Sequence, residues 1–176
     1  MQTRCCVLLL VALQVVAVLA ARAKRASPQQ CPEGFTGIGF GMCVSVRSLN
    51  VNYFDARSWA TTNNMCKADG ARLVSLDTPE KHKALTEYLH SNFDFSSILQ
   101  MWVGATRNAT GWWWLNSAPL PVDSNIWLEG EPNPDETYVH AITFVSWNIV
   151  DGGHLHLRAV PADSLGLGYV CEATGV

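Results

Sequence analysis

Cysteine content is the feature that most constrains how this chain folds. Two of its six cysteines, Cys5 and Cys6, lie within an N-terminal apolar segment, and the other four follow it at Cys31, Cys43, Cys66 and Cys171. An even number of cysteines in a secreted domain is typical of disulfide bonds. A zinc site is the alternative, but the chain has no C-x-x-C pair and its cysteines are widely spaced. We therefore predict disulfides. The glycine-rich stretch 31–43 is a candidate hairpin that one of them closes.

The N-terminal segment has the layout of a secretory signal peptide. Arg4 provides a basic start, an apolar run at 7–20 is interrupted by one glutamine, and small residues follow it. The run is shorter than the ~20 residues of a membrane span, so we favour a cleaved signal peptide over residues 1–23 rather than an anchor. The sequence at 22–25 is Arg-Ala-Lys-Arg, which indicates a second processing site after Arg25. These features predict an extracellular protein.

Charge and hydropathy narrow the range of partners. Residues 1–25 hold four of the twelve basic residues and none of the fifteen acidic ones, so the rest of the chain has a net charge of −7. An acidic surface repels phosphate backbones, which argues against nucleic acid as a partner. No later apolar run approaches spanning length, and we expect no membrane insertion. With 48% hydrophobic residues, the chain can bury the core of one domain.

Hydrophobic periodicity and capping residues predict two helices and several short strands. The first helix spans 55–68 and ends at Asp69-Gly70, and the second begins at Thr78 as N-cap with Pro79 in its first turn. The predicted strands are 72–76, 101–105, 112–115, 139–147, 155–160 and 169–172. Residues 116–138 form a long irregular loop, which inside a compact domain is usually functional.

Four motifs together resemble the C-type lectin domain. They are Trp59-x6-Cys66-x3-Gly70-Ala71-x-Leu73-Val74-Ser75, Met101-Trp102-Val103-Gly104, Trp127-Leu128-Glu129-Gly130-Glu131-Pro132-Asn133 and Tyr169-Val170-Cys171-Glu172. The resemblance covers residues 31–172. It implies an α+β fold with two helices, antiparallel sheets and a long loop region, whose two termini meet in one sheet. It also implies the pairs Cys66–Cys171 and Cys31–Cys43, and it places most tryptophans in the core.

The same resemblance implies a site in the Glu131-Pro132-Asn133 loop. In the family, the side chains at the Glu131 and Asn133 positions coordinate Ca²⁺ and also hydrogen-bond two adjacent sugar hydroxyls. This order of residues implies a preference for mannose-type sugars. Pro132 is expected to follow a cis peptide bond, and Glu136 is a candidate further ligand.

The second half of that calcium site departs from the family pattern, which is W-N-D. Counting back from Cys171 places Leu157-Arg158-Ala159 there, whereas counting forward from the loop places Trp147-Asn148-Ile149 there. Only the second alignment keeps a ligand, Asn148, and both lose the aspartate unless Asp151 replaces it. The family's second disulfide is also absent, since its positions fall near Tyr138 or His140 and at Ala162. We expect weak or absent calcium binding.

Two further features of the sequence indicate other chemistry. His154 and His156 would share one face of a strand, and with His140 or Asp151 they form an alternative zinc or copper site. Asn108-Ala109-Thr110 is a glycosylation sequon and predicts an exposed Asn108. The sequence contains no motif typical of a catalytic nucleophile or an acid–base pair. We therefore predict that the protein is not an enzyme.

The sequence thus predicts a secreted lectin that binds glycans or a glycoprotein, with mannose-type preference, an incomplete calcium site and a role in pathogen recognition. The alternative is a calcium-independent domain of the same fold that binds a protein or another non-sugar ligand.

Overall fold

The computed structural model describes residues 30–48, 56–93, 100–146 and 154–173. The chain separates into two compact units, Met1–Gln30 and Cys31–Val176, and every described helix and strand lies in the second unit. The predicted signal peptide and residues 147–153, with Asn148 and Asp151, lie outside the described residues. Within the described ranges, no helix is long and apolar enough to cross a membrane.

Two helices and ten strands make up the described part of the domain. In chain order they are β1 (Thr36–Gly39), β2 (Met42–Ser48), β3 (Arg57–Ser58), α1 (Trp59–Ala68), β4 (Ala71–Leu73), α2 (Pro79–Asn92), β5 (Met101–Asn108), β6 (Gly111–Trp114), β7 (Tyr138–Ser146), β8 (His154–Pro161), β9 (Leu165–Gly166) and β10 (Gly168–Ala173). The α+β class predicted from the sequence is confirmed.

One mixed sheet carries most of the strands, in the order β1-β2-β10-β5-β7-β8, with β4 beside β10 and β6 beside β5. All pairs are antiparallel except β10 with β5. The last strand lies between β2 and β5, so the two ends of the domain meet in one sheet, as the resemblance implied. A separate ribbon pairs β3 with β9.

Two disulfides connect these elements in the implied pairs. Cys31–Cys43 closes the β1–β2 hairpin, and Cys66–Cys171 joins α1 to β10, each with a Cα–Cα distance of 5.5 Å. The two positions left without the family's second disulfide are also adjacent. Tyr138 pairs with Pro161, the residue before Ala162, so β7–β8 pairing holds this point of the domain without a covalent link.

Both helices begin at polar caps. The Thr78 hydroxyl accepts from the Lys81 N–H (3.3 Å), with Pro79 in the first turn, as predicted. The first helix begins at Trp59, four residues later than predicted, with Ser58 as N-cap. The reason is tertiary: Arg57 and Ser58 pair with β9 and are extended. The predicted strand at 72–76 is likewise shorter in the structure, because β10 pairs only with 71–73 in β4.

Tryptophan supplies much of the core on both sides of the sheet. One buried cluster contains Trp112, Trp114 and Trp127, and a second, which includes the Cys66–Cys171 disulfide, contains Trp102. Trp59 and Trp113 are half-buried. The indole of Trp102 donates to the Arg57 carbonyl (2.7 Å) and fixes the residues before α1 to the sheet.

Candidate functional site

The loop that contains residues 126–137 is fastened along the outer edge of β8. The Leu157 N–H donates to the Ile126 carbonyl (2.8 Å), and the Leu128 N–H donates to the Leu157 carbonyl (2.9 Å). Between them, the Trp127 indole packs edge-on against Trp112, with centroids 4.9 Å apart, and it donates to the Pro121 carbonyl (3.0 Å). The residues that follow Trp127 therefore have a fixed position relative to β8.

Glu131 is the centre of the contacts between this loop and β8. Its peptide bond to Pro132 is cis, as the resemblance implied. One carboxylate oxygen, Oε2, accepts from the Asn133 N–H (2.9 Å) and from the Ala159 N–H (3.1 Å). The other, Oε1, lies 3.5 Å from Nε of Arg158. Glu131 is thus held by a cation and by two backbone donors.

These contacts show which part of the chain faces Glu131. Arg158 and Ala159 lie beside its carboxylate, in agreement with the alignment that counts back from Cys171. On that alignment, an arginine and an alanine take the places of the asparagine and the aspartate of the family pattern. The competing assignment, with Asn148 as a ligand, falls on residues outside the described ranges and stays a prediction.

Further along the loop, side-chain oxygens accept hydrogen bonds from backbone N–H groups of the same loop. The Asn133 Oδ1 accepts from the Asp135 N–H (2.9 Å), and the Asp135 Oδ1 accepts from both the N–H and the hydroxyl of Thr137 (2.9 and 2.8 Å). The bonds from Thr137 lower the pKa of the Asp135 carboxyl. Arg107 holds the same loop from β5 by donating to the carbonyls of Pro134 and Asp135.

These residues do not fit a calcium ion. Ca²⁺ takes six to eight oxygen ligands and binds more tightly as the number of charged ligands rises. Here Glu131 faces a guanidinium, Ala159 has no side-chain oxygen, and Glu136 is exposed with the rest of the loop tip. Among the described residues, no three side chains of His, Cys, Asp or Glu are grouped so that they could hold a metal ion.

The histidines of the zinc alternative are only partly placed. His154 and His156 both belong to β8 and are two residues apart in it. His140 pairs with Val160, whereas His156 pairs with Phe144, and the His140 ring stacks on Trp59. His140 is therefore occupied elsewhere, and a metal site at His154 and His156 stays a prediction.

The glycosylation sequon lies at the exposed turn between β5 and β6. Asn108 ends β5, and its Oδ1 accepts from the N–H and the hydroxyl of Thr110 (2.8 and 2.7 Å). The predicted exposure of Asn108 is confirmed, while its modification stays a prediction.

The contact of Arg158 with Glu131 was not predicted from the sequence. The available signal was a basic residue at one of the two positions aligned with a calcium ligand, but only β8 pairing shows that this residue faces Glu131. A cavity beside Arg158 also gave no signal in the sequence, because its lining comes from four separate segments.

The comparison with protein families decides the relationship that the motifs suggested. The model of the lectin C-type domain matches residues 55–156, more than half of the chain. The chain belongs to the C-type lectin domain family. Among curated relatives, this C-type lectin domain is 27% identical over 106 residues to C-type lectin mosGCTL-7 from Aedes aegypti, which covers 53% of the chain and 69% of that protein. It spans a smaller share of other curated relatives, down to 5%.

Solved C-type lectin domains share the fold. The domain of murine dendritic cell inhibitory receptor 2, in complex with an N-glycan, superposes with a TM-score of 0.62 at 19% identity and covers 84% of this chain and 100% of that one. A calcium-independent type II antifreeze protein superposes with a TM-score of 0.61 at 18% identity and covers 85% of this chain and 98% of that one. At this identity the likeness shows the fold alone.

Proposed function

We propose that the chain is a secreted C-type lectin domain that recognises a glycan or glycoprotein without calcium. The observation that carries this proposal is the contact between the Arg158 guanidinium and the Glu131 carboxylate. It supports the view that a side chain of the protein supplies the positive charge that Ca²⁺ supplies elsewhere in the family. As members of this family are in general binding proteins, we propose no enzymatic activity.

Electrostatics favour this reading over a weakened calcium site. A calcium ion beside Glu131 would bring two positive charges next to the Arg158 guanidinium, and like charges at this range repel. The ion would also have to compete with the backbone N–H groups of Asn133 and Ala159 for the carboxylate. Each of these changes costs free energy. Ala159 has no carboxylate that could bind the ion and offset this cost.

The mannose-type preference is a second candidate, which depends on calcium. It requires Glu131 and Asn133 to share sugar hydroxyls with the metal, and here both side chains accept from backbone N–H groups. One solved structure with this fold is named as a calcium-independent antifreeze protein. That neighbour supports a ligand that needs no calcium, and the test therefore names the result that would favour a non-sugar ligand.

A glycan array tests the proposal. The chain without residues 1–25 is applied to mannose-type, galactose-type, acidic and microbial glycans, in EDTA and again in about 5 mM Ca²⁺. We expect the same bound glycans in both conditions. Binding that disappears in EDTA and is abolished by Glu131→Ala would overturn calcium independence in favour of the mannose-type lectin. An array without any bound glycan would favour the non-sugar alternative, and microbial glycans among the hits would support a role in pathogen recognition.

Secretion is tested separately from binding. We expect mammalian cells that express the full chain to release a protein whose N-terminus, by sequencing, follows residue 23 or Arg25. Retention of the uncleaved chain in the cell membrane would instead support the anchor reading of residues 7–20.

A further inference from the structure

A cavity of about 260 Å³ adjoins Arg158 on the face of β8 that points away from the buried residues Leu157 and Ala159. Besides Arg158, its lining residues are Gln100, Ile142, Thr143, Val160, Ser164 and Leu165. They come from the residue before β5, from β7, from β8 and from the turn that leads into the first residue of β9. The cavity lies beside, and not within, the loop at 131–137.

Polar and apolar groups share the lining in a way that suits a sugar ring. Arg158, Gln100 and Ser164 bring N–H and O–H donors. Ile142, Val160 and Leu165 bring an apolar wall, and Leu165 is 56% exposed although it is a large aliphatic residue. Binding sites for small molecules combine such a wall with a few polar groups that fix orientation.

Charge points to an acidic ligand. In the described part of the chain no Asp or Glu lines the cavity, although the exposed Asp163 precedes Ser164. Glu131 contacts Arg158 through Nε at 3.5 Å, and the Arg158 side chain is 56% exposed. A guanidinium has five donors in one plane, so contact at Nε leaves its terminal nitrogens able to bind a second carboxylate through two parallel bonds.

We propose that this cavity binds a sugar that carries a carboxylate, with the acid group on the terminal nitrogens of Arg158. The inference deepens the proposed function, on which it rests, by naming the ligand class. Glu131 orients the guanidinium as a positioning residue. The donors of Gln100 and Ser164 face the ring hydroxyls, and the wall formed by Ile142, Val160 and Leu165 covers one face of the ring.

Two ligands that differ only in the acid group provide the test. The ¹⁵N-labelled chain, without residues 1–25 and in EDTA, is titrated with methyl glucuronide and with methyl glucoside, and amide chemical shifts are followed. We expect the glucuronide to shift the amide signals of Gln100, Ser164 and Leu165. We also expect it to bind at least roughly tenfold more tightly than the glucoside, because a charge-assisted hydrogen bond adds to its binding free energy. A third ligand, methyl glucoside 6-sulfate, tests whether the site prefers a carboxylate to a sulfate.

A matched arginine provides the protein control. Arg47 resembles Arg158 in exposure (47% and 56%) and in its carboxylate partner, Asp69 at 3.6 Å. We expect Arg158→Gln to reduce glucuronide affinity roughly 10- to 100-fold, and Arg47→Gln to leave it unchanged. Arg158→Lys keeps the charge but lacks the planar guanidinium, and its affinity for the glucuronide should lie between those of the other two variants. Unchanged thermal unfolding in each variant would show that the losses are local.

Three results would overturn the inference: equal affinity for glucoside and glucuronide, equal effects of Arg158→Gln and Arg47→Gln, or tighter binding of the sulfate. Each is distinct from failure of the proposed function. Array binding in EDTA without preference for carboxylates would leave the proposed function standing, whereas binding only in calcium would end both.

Discussion

The imidazole of His140 lies face to face on the indole of Trp59, with ring centroids 4.3 Å apart and planes 2° from parallel. The Trp102 indole meets the same imidazole edge-on at 6.4 Å. Trp59 is the first residue of α1, and its indole donates to the Val103 carbonyl (2.9 Å). His140 on β7 therefore belongs to the packing that holds α1 against the sheet.

This packing predicts sensitivity to acid. Burial lowers the pKa of His140 from 6.5 to about 4, so between these values the unfolded chain binds a proton that the folded chain does not. The contribution of neutral His140 to the free energy of unfolding is complete above about pH 6.5. As the pH is lowered towards 4, the free energy of unfolding falls by about 2 kcal/mol, after allowance for the partial exposure of the ring. Urea unfolding from pH 7 to pH 4, with His140→Gln as comparison, measures this. An equally steep profile in the variant would contradict the prediction.

Removal of the two disulfides should have unequal effects. Cys66–Cys171 closes a separation of 105 residues and Cys31–Cys43 one of 12. The chain-entropy model assigns about 5 kcal/mol to the first and about 3 kcal/mol to the second. We expect the Cys66→Ala/Cys171→Ala variant to unfold at a clearly lower urea concentration than Cys31→Ala/Cys43→Ala. Equal midpoints would show that the loop length does not govern their contributions.

A buried carboxylate connects β10 to the start of α2. Glu172 is 5% exposed. Its oxygens accept from the Ser75 N–H (3.2 Å) and lie 3.7 and 3.9 Å from the nitrogens of Arg72 and Lys81. Removal of the charge in Glu172→Gln should reduce the free energy of unfolding by about 1–3 kcal/mol.

The control for Glu172 is the exposed pair Lys83–Glu87 on α2, at 3.8 Å. Glu87→Gln is expected to cost no more than ~0.5 kcal/mol, since exposed pairs of this spacing contribute little. Chemical denaturation of both variants tests the difference, and a loss in Glu172→Gln as small as that in the control would refute it.

Calcium binding should be gained when the two residues beside Glu131 are replaced. Arg158→Asn with Ala159→Asp removes the guanidinium and puts side-chain oxygens on the two residues that contact Glu131. We expect calcium to stabilise this variant by about 1.4 kcal/mol at ten times its Kd, which appears as a rise in melting temperature reversed by EDTA. Arg158→Asn alone lacks the carboxylate and serves as control. A similar calcium response in the unaltered chain would contradict the conclusion that these residues do not fit the ion.

Asn108 is expected to carry an N-linked glycan when the chain is secreted from eukaryotic cells. Its position at an exposed turn leaves the amide accessible. Mass spectrometry before and after enzymatic deglycosylation should show one glycan, absent in Asn108→Gln. Thr110→Ala removes the same sequon without changing the asparagine. A glycan that persists in either variant would place the modification elsewhere.

Much of the fold could be predicted from local signals. Thr78 and Pro79 gave the start of α2 because a cap and a first-turn proline act within one helical turn. The pattern of hydrophobic residues predicted most strands, and the four motifs indicated the family that the domain model confirms. The first helix was predicted too early because the extended state of Arg57 and Ser58 depends on β9, more than a hundred residues away in sequence.

The sequence by itself determined most of the secondary-structure elements, the cysteines available for pairing and the presence of the Glu131-Pro132-Asn133 loop, since each follows from residue type and short-range order. Only the tertiary structure decided what faces that loop. The register of β8 against β7 and against Ile126 and Leu128 places Arg158 beside Glu131. Register is set by strand pairing between distant segments, and a shift of one residue would turn a different side chain to each face.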